Sequence, residues 1–471
     1  MKILLINEPL RDSIADNDQV NLAEESHMIP PLGLLYIASV IKKKSTHNVR
    51  LFDCQVDKLS YDGIREAVKK IKPDVVGMNT LTFTLIEVLE VARLVKEVDP
   101  KIKVILGGVH VNIYPEETIS FPEVDFLILG EGENVIVELL DAISDEDKLR
   151  QVTGVVFKNS QGEIINTGKR PLITNLDEIP FPARELTAYQ KYTGLLSSES
   201  PITSMLTSRG CPYNCLFCHR PHFGRIFRAR SAGNVVKEMI LCRDMGIKEI
   251  IIYDDTFTID RQRVVDICKQ LIDNKVKIKW DVRARVDTVD KELLNLMKEA
   301  GCVRIHYGVE AGTQKILDVL RKGITLDMAY DVFKMTKRAG IGTLGYFMIG
   351  SPRETREDIM ATIKFATSLK ADYIFAGITT LFPATDLYQM ALEEGVIKTD
   401  VWQEFARRPQ ENFVPPIWDK ELSQEELGEL IKMFYRKFYK RPSYIIKNLL
   451  SIRSLEEFRR KFSAGFNILR I

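Results

Sequence analysis

The chain has 471 residues, of which 45% are hydrophobic and 28% charged, a composition that excludes a disordered, collagen-like or disulfide-stapled chain. Its 66 Lys and Arg residues nearly equal its 65 Asp and Glu residues, so no basic excess indicates a nucleic-acid partner. No apolar run approaches the roughly 18 residues of a membrane span, and the N-terminal run is too short for a signal peptide. We therefore expect a cytoplasmic protein of about two or three domains.

Residues 1–145 alternate between short β-branched runs and helical patterns, which predicts a doubly wound, Rossmann-like parallel sheet. Ligands of such sheets bind beyond the carboxyl ends of the strands, where two glycine-rich turns lie at 107–110 and 130–133. These glycines either let the backbone approach a flat ligand or simply make tight turns. No Gly-x-Gly-x-x-Gly follows the first strand, so a dinucleotide site is not indicated. Strands are predicted at 2–7, 49–53, 74–79, 103–106 and 125–129, and helices at 34–43, 61–72, 85–98 and 134–143.

Residues 146–195 read as a proline-punctuated connector that contains a hairpin, with runs at 152–158 and 163–166 around an Asn-Ser-Gln-Gly turn. A second alternating series occupies 196–400 and predicts a partial (β/α)6 barrel, whose chemistry would lie at the carboxyl ends of its strands. Its strands are predicted at 202–207, 249–253, 277–281, 303–307, 342–348 and 373–378, and its helices at 232–245, 261–274, 291–300, 329–339 and 356–369.

Three cysteines, Cys211, Cys215 and Cys218, follow the first strand of this second series with the spacing Cys-x3-Cys-x2-Cys. Three thiolates on one loop could hold three irons of a cubane cluster and leave the fourth iron open, whereas an electron-transfer ferredoxin normally uses four cysteines. A zinc site with His219 as fourth ligand is the alternative, although structural zinc favours separated pairs of ligands. The other cysteines lie in strand or helix patterns and are predicted to be buried: Cys54, Cys242, Cys268 and Cys302.

With Phe217 as its aromatic residue, this loop resembles the Cys-x3-Cys-x-aromatic-Cys motif of the radical S-adenosylmethionine (SAM) superfamily. The resemblance implies a 4Fe-4S cluster on Cys211, Cys215 and Cys218, with SAM bound to the open iron and cleaved reductively to a 5′-deoxyadenosyl radical. It also implies an electron donor such as ferredoxin or flavodoxin. Residues at successive strand ends resemble the family's SAM contacts: Phe217, Asp254, Asp255, Arg285, Glu310 and Gly350.

The first domain adds a narrower resemblance, because a parallel-sheet domain with the segments 30–33, 73–77, 107–110 and 130–133 ahead of such a barrel is similar to the cobalamin-binding radical SAM class. The resemblance implies cobalamin between the two domains. The class's frequent Asp-x-His-x-x-Gly signature is absent at 53–56, so no histidine is expected below the cobalt; loss of cobalamin, with the domain kept as a scaffold, is the alternative. The implied cobalamin contacts are Gly107, Gly108, His110, Gly130 and Gly132.

The C-terminal segment, 401–471, is predicted to be helical, and its part 432–471 is strongly basic, with eleven Lys and Arg residues against two Glu. Aromatic residues are interleaved with these charges. One interpretation is a helical cap over the open side of the barrel. The other is a basic amphipathic surface that makes peripheral contact with an anionic membrane.

Three functional hypotheses follow. The first is cobalamin-dependent methylation of an unactivated carbon in a small-molecule or lipid-like substrate. The second is a radical cyclase or ring-rearranging enzyme on a tetrapyrrole or hopanoid-like lipid, resembling the anaerobic magnesium-protoporphyrin ester cyclase. The third, a non-catalytic cobalamin or cluster carrier, is disfavoured because an open iron is a liability unless it binds something. No catalytic residue is assigned beyond the cluster ligands.

Overall fold

The computed structural model describes residues 1–10, 29–194, 196–197, 199–219 and 223–451, with the backbone alone at 447–451. Two large sheets lie within these residues, each covered by helices. The predicted α/β class, a doubly wound sheet followed by six parallel barrel strands and a helical C-terminal cap, is confirmed.

Seven strands form the first sheet: β1 Lys2–Asn7, β2 Asn48–Asp53, β3 Val75–Asn79, β4 Lys103–Gly107, β5 Phe126–Ile128, β6 Val155–Lys158 and β7 Ile164–Asn166. Their spatial order is β2-β1-β3-β4-β5-β6-β7, with β1 to β5 parallel and the hairpin β6–β7 antiparallel. The hairpin expected in the connector therefore extends this sheet. Its helices are α1 Leu32–Lys44, α2 Tyr61–Ile71, α3 Leu85–Val98, α4 Val109–Ile113, α5 Pro115–Ser120, α6 Ile136–Ala142 and α7 Glu146–Leu149.

Burial on both faces explains why the central strands read as continuous apolar runs. In β1, Ile3 and Leu5 pack with α1 and α6, whereas Leu4 and Ile6 pack with α2 and α3. The order of the strands reverses between β1 and β3. In doubly wound sheets such a switch point is where ligands bind, outside the carboxyl ends of the strands.

The barrel contains six parallel strands in the order β15-β14-β13-β12-β11-β8, and a short antiparallel pair, β9–β10, adjoins it. These strands are β8 Ile202–Met205, β9 Ser208–Arg209, β10 Arg228–Ala229, β11 Glu249–Ile252, β12 Lys279–Ala284, β13 Cys302–Glu310, β14 Gly342–Ile349 and β15 Tyr373–Ile378. The outer helices are α8 Ala232–Asp244, α9 Arg261–Asp273, α10 Lys291–Glu299, α11 Gln314–Val319, α12 Leu326–Arg338 and α13 Arg356–Ser368.

Alternation along the barrel strands separates an apolar outer layer from a polar inner layer. Ile252, Val282 and Ile305 belong to the hydrophobic core beneath the outer helices. On each strand the next residue along points to the opposite side, which is the inside of the barrel. In β12 and β13 these inward residues include Arg283 and His306.

The last four helices, α14 Asp386–Glu393, α15 Val401–Arg407, α16 Gln424–Tyr439 and α17 Pro442–Ser451, divide between the two domains. Leu387 and Trp402 pack into the core of the first domain, and the Tyr114 hydroxyl contacts Asp400 over 3.2 Å. Helix α16 instead packs on β15. The segment after the barrel thus packs first on the first domain, through α14 and α15, and then on the barrel, through α16.

Helix α16 covers the free edge of β15 with two tyrosine hydroxyls. Tyr435 donates to the Ala376 carbonyl over 2.8 Å and accepts from the Ala376 N–H, and Tyr439 makes the same pair with Ile374. Four residues of helix rise about 6 Å and two residues of strand about 6.6 Å, so the spacings match.

The cap interpretation of the basic segment is supported by these contacts. Phe434, Tyr435 and Phe438 are at most 2% exposed, so the expectation that these aromatics are available to a membrane surface is wrong. Residues 452–471, on which part of that expectation rested, lie outside the described residues. No helix in the described part of the chain combines the length and hydropathy needed to cross a bilayer.

Candidate cofactor site

The cysteine loop begins at a glycine that other residues could replace only with strain. Gly210 follows β9 with φ +82°, and a Cβ there would lie 2.3 Å from the Ile226 carbonyl oxygen. The middle of the loop is tied to the barrel, since Leu216 N–H donates to the Leu320 carbonyl over 2.9 Å. The loop is thus held at the carboxyl end of the barrel strands.

The three thiols differ in exposure: Cys215 is buried, Cys211 half-buried and Cys218 exposed. A hydrogen bond from Cys218, together with the nearby Lys322 and Arg285 cations, lowers the pKa of Cys215 despite its burial. The Arg285 Nη1 lies 3.9 Å from its sulfur. The surroundings of Cys215 therefore favour its thiolate, the form that binds metal, whereas burial raises the pKa of Cys211 and the hydrogen bond with Cys215 raises that of Cys218.

The described residues include no group of three His, Cys, Asp or Glu side chains arranged around a single metal ion. This argues against the zinc alternative with His219, because zinc needs its ligands around one centre. A cubane cluster does not need that arrangement, since each thiolate binds a different iron. The donor set fits a 4Fe-4S cluster.

Beside the cysteines lies a cluster of paired charges at the ends of β12 and β13. Arg285 pairs with Asp287 over 2.9 Å, donates to the Lys322 carbonyl and stacks on the Tyr213 ring at 3.7 Å. Glu310 accepts from Lys322 Nζ over 2.6 Å. The structure thus brings the predicted residues Arg285 and Glu310 to the cysteine loop.

The Phe217 ring joins this cluster, 5.9 Å from the Lys322 ammonium. Lys322 itself was missed at the sequence level, because it lies in a loop after α11 that carries no recognised motif. Glu310 has φ +71°, and a Cβ at Gly308 would come within 2.4 Å of its Oε1. Gly308 therefore provides the space in which the Glu310–Lys322 pair forms.

The two neighbouring aspartates after β11 have different surroundings. Asp254 is fully buried and accepts from Thr207 N, Thr207 Oγ1 and Ser208 Oγ, all within 2.6 Å. Its carboxylate holds the segment that leads to the cysteine loop, and its contact with SAM stays a prediction. Asp255 is exposed, and the pKa of its carboxyl is raised by partial desolvation and by Asp254. Of the two, Asp255 lies near enough to Cys211 for its charge to contribute to raising the pKa of that thiol, after the larger effect of burial.

Gly350, the predicted contact after β14, is buried against the cap. A Cβ there would lie 2.9 Å from Leu427 Cδ1, and its φ is +75°. The glycine therefore allows α16 to pack closely, and the place that a side chain would take at this position is filled by Leu427.

The five residues predicted around cobalamin also divide. Added Cβ atoms at Gly107 and Gly130 would meet no atom of the described residues within 4 Å, whereas one at Gly132 would lie 2.9 Å from Ile37 Cδ1. Gly108 has φ +107° and packs on Asn79 and Thr80.

His110 is fully buried, its Nδ1 lies 3.1 Å from Thr82 Oγ1, and burial lowers its pKa to about 4. Gly107 and Gly130 border open space; His110 and Gly132 face the protein.

Unsatisfied polar atoms collect at the switch point of the first sheet. Glu8 Oε2, just after β1, and Thr80 Oγ1, just after β3, are buried and have no hydrogen-bond partner within the described part of the chain. Burial raises the pKa of Glu8 to about 7. Because buried polar atoms are normally satisfied, this edge has the character of a ligand site.

A buried ion cluster joins this edge of the first sheet to the cysteine loop. Arg209, two residues before Cys211, donates to Glu131 over 2.7 Å and to Glu133 over 2.5 Å. Arg228 also donates to Glu131, over 2.8 Å. The sequence pattern indicates the glycines of the 130–133 turn, but the glutamates that alternate with them, Glu131 and Glu133, make this contact between the domains.

Comparison with known proteins assigns both domains. The family profile of the B12 binding domain matches residues 19–140, and that of the radical SAM superfamily matches residues 205–366. An uncharacterized methyltransferase of Pyrococcus horikoshii is 35% identical over 95% of this chain and 95% of its own length. The chain belongs to the cobalamin-binding radical SAM family. The anaerobic magnesium-protoporphyrin IX monomethyl ester cyclase of Rubrivivax gelatinosus is 28% identical over 88% of this chain and 75% of its own.

Solved structures of the cobalamin-binding radical SAM family share this fold. The radical SAM methyltransferase TsrM from Kitasatospora setae, with cobalamin and a [4Fe-4S] cluster bound, has a TM-score of 0.68 at 18% identity and covers 83% of this chain and 78% of its own. OxsB, with aqua-cobalamin and SAM bound, has a TM-score of 0.73 at 19% identity and covers 99% and 72%. The predicted cofactor set of cluster, SAM and cobalamin is confirmed for the family to which the chain belongs.

We expect the open space at Gly107 to be needed for cobalamin. Gly107→Phe should lower the cobalamin content of the reconstituted protein severalfold and spare the cluster, because the ring would enter space in which no atom of the described residues lies within 4 Å of an added Cβ. Absorption spectra and iron content measure both. Gly233→Phe, on helix α8 of the barrel, is the control, and equal cobalamin loss in the two variants would contradict the assignment.

Cobalt is expected to have no histidine below it. The 53–56 turn contains none, and His110 is buried against Thr82 and Tyr114. Electron paramagnetic resonance of the cob(II)alamin form should therefore lack nitrogen superhyperfine splitting. The appearance of such splitting would show that a nitrogen ligand reaches the metal.

Proposed function

We propose that this protein is a cobalamin-dependent radical SAM methyltransferase that adds a methyl group to an unactivated carbon of a small-molecule or lipid-like substrate. The observation that carries the proposal is the buried contact of Arg209 with Glu131 and Glu133. It joins the ligand-binding edge of the first sheet to the loop of the three cysteines, so that the two cofactor regions belong to one interface.

The resemblance to a methyltransferase over 95% of the chain supports the same assignment. The cyclase of Rubrivivax gelatinosus, matched over 88% of the chain, favours ring formation as the second candidate. Both reactions begin with hydrogen abstraction, and they differ in whether a methyl group is transferred.

The chain's own residues have assignable tasks. When bound, the cofactors supply a carbon radical and a transferable methyl group. Cys211, Cys215 and Cys218 would hold the cluster, with the Arg285 cation beside Cys215 stabilising thiolate charge. Glu310, held by Lys322, can accept hydrogen bonds from the ammonium or ribose hydroxyls of SAM.

The proposal is tested by the products made from SAM. Protein reconstituted anaerobically with iron, sulfide and cobalamin is treated with SAM and dithionite, and 5′-deoxyadenosine and S-adenosylhomocysteine are quantified. A methyltransferase should form both, with about one equivalent of S-adenosylhomocysteine per bound cobalamin even without substrate.

Other outcomes have distinct meanings. Formation of 5′-deoxyadenosine alone, with cobalamin fully loaded, would favour the cyclase. No 5′-deoxyadenosine from protein that contains a complete cluster would contradict radical SAM chemistry. The Cys211→Ala variant supplies the background for both products.

A further inference from the structure

The inside of the barrel contains charged side chains at three levels along its strands. At the amino ends, Arg304 binds Glu249 over 2.9 Å and Asp281 over 2.8 Å. At the carboxyl ends lie the paired Arg285 and Lys322 beside the cysteines. Arg283 occupies the level between them, two residues or roughly 7 Å along β12 from Arg285.

Arg283 differs from the other cations of the interior. Arg304, Arg285 and Lys322 each have a carboxylate within 3 Å. No ion pair joins Arg283 to any carboxylate among the described residues, although Asp255 is close enough to feel its charge. Its guanidinium lies over the Tyr253 ring at 4.1 Å, and the side chain is only half-buried.

The wall around Arg283 is aromatic and contains hydrogen-bonding groups. His306 is its neighbour in register on β13, and the His306 Nδ1 lies 3.1 Å from the Tyr346 hydroxyl. The Phe375 ring packs edge-on against Tyr346 at 6.0 Å and is 39% exposed, so this side of the interior is open. An unpaired cation beside open aromatic surface suits a ligand that carries an anion on an apolar body.

We infer that Arg283 binds an oxyanion, carboxylate or phosphate, of the substrate, whose apolar part lies against Tyr346 and Phe375. The guanidinium presents two parallel N–H groups that match either anion. The inference rests on the proposed function in treating the barrel interior as the substrate site, and it narrows the substrate to an anionic molecule with an apolar or aromatic portion.

Two other accounts of Arg283 make different predictions. It could balance the second carboxylate of the Glu249–Asp281–Arg304 cluster from a distance, in which case its loss would lower stability without affecting ligands. It could instead bind the carboxylate of SAM, in which case its loss would weaken SAM binding. The experiment must separate these roles.

The test measures binding of model anions to the anaerobically reconstituted holoenzyme. Ligand-observed NMR compares 3-phenylpropionate, its neutral amide and benzylphosphonate on the wild type and on Arg283→Gln, Arg283→Lys and Arg243→Gln, the last being a partly exposed control on α8. Arg283→Gln should weaken the preferred anion at least about tenfold, Arg283→Lys less, and the amide should bind all four proteins equally. The anion that binds more tightly shows whether the oxyanion of the substrate is a carboxylate or a phosphate.

Three results would overturn the inference: anion affinity unchanged in Arg283→Gln, no anion binding to the wild type at millimolar concentration, or weaker SAM binding with unchanged anion binding. If the inference about Arg283 fails, the amounts of 5′-deoxyadenosine and S-adenosylhomocysteine that the wild type forms are unaffected. If the proposed function fails, the amounts of these two products differ from the expected ones, whereas the affinities for the model anions do not change.

Discussion

Replacing Cys211, Cys215 and Cys218 together by Ala is expected to abolish the visible absorption of the iron–sulfur cluster and to reduce 5′-deoxyadenosine formation to background. The other four cysteines, Cys54, Cys242, Cys268 and Cys302, are all buried. Because the open iron is the place where SAM would bind, loss of the cluster should also abolish reductive SAM cleavage. Iron and sulfide content, absorption spectra and product analysis measure the effect.

A matched control distinguishes ligand loss from damage to the fold. Cys242→Ala removes a fully buried thiol from the barrel core, far along the chain from the cysteine loop. It should retain the full cluster, although the small cavity will lower stability somewhat. A triple variant that still binds a complete cluster would show that other residues ligate the iron.

Glu131→Gln is expected to destabilise the protein by about 3–5 kcal/mol, the usual cost of removing one partner from a buried ion pair. Glu131 is 5% exposed and accepts hydrogen bonds from Arg209, Arg228 and the Ile173 N–H. The glutamine has nearly the same shape but leaves two buried guanidinium groups without their shared charge. Thermal and denaturant unfolding measure the loss.

Glu138→Gln is the control for this prediction. Its carboxylate also binds an arginine, Arg170, in two hydrogen bonds, but its side chain is 52% exposed. Exposed pairs contribute about 0–1 kcal/mol. Equal destabilisation in the two variants would contradict the assignment of the Glu131 cluster as a buried, stabilising link between the domains.

The pH dependence of stability follows from the same cluster. Burial alone would raise the pKa of Glu131, but Arg228 and Arg209 outweigh it and hold the pKa below its usual value. The carboxylate therefore stabilises the fold fully above its unfolded pKa of about 4.3, and this stabilisation is lost as the pH falls through the folded value. Between neutral and acidic pH, the wild type should thus lose more stability than Glu131→Gln.

Much of the architecture could be predicted from the sequence because strand and helix periodicities are local. The predicted strand at 373–378 matches β15 residue for residue, and the cysteine loop lies at the strand end where its motif placed it. Roles that depend on distant contacts could not be predicted. Asp254 and Asp255 are adjacent in sequence, but only the fold shows that Thr207 and Ser208 engage the first and leave the second exposed.

The 130–133 turn illustrates the same limit. Its glycines are recognisable in the sequence because glycine has a conformational meaning of its own. The arginine partners of Glu131 and Glu133, Arg209 and Arg228, lie 76 or more residues away, and no local pattern connects them. Helix α16 is a similar case, since the match of Tyr435 and Tyr439 to β15 appears only when helix and strand lie side by side.

The hydroxyls of Tyr435 and Tyr439 have a consequence for association between copies of the protein. A half-barrel has a last strand whose N–H and C=O groups could pair with another chain, and such edges promote aggregation. Here the groups of Ile374 and Ala376 are already satisfied by the two tyrosines. Helix α16 thus protects the sheet against intermolecular strand pairing. A chain truncated before Gln424 would leave the N–H and C=O groups of Ile374 and Ala376 unpaired and should aggregate more readily.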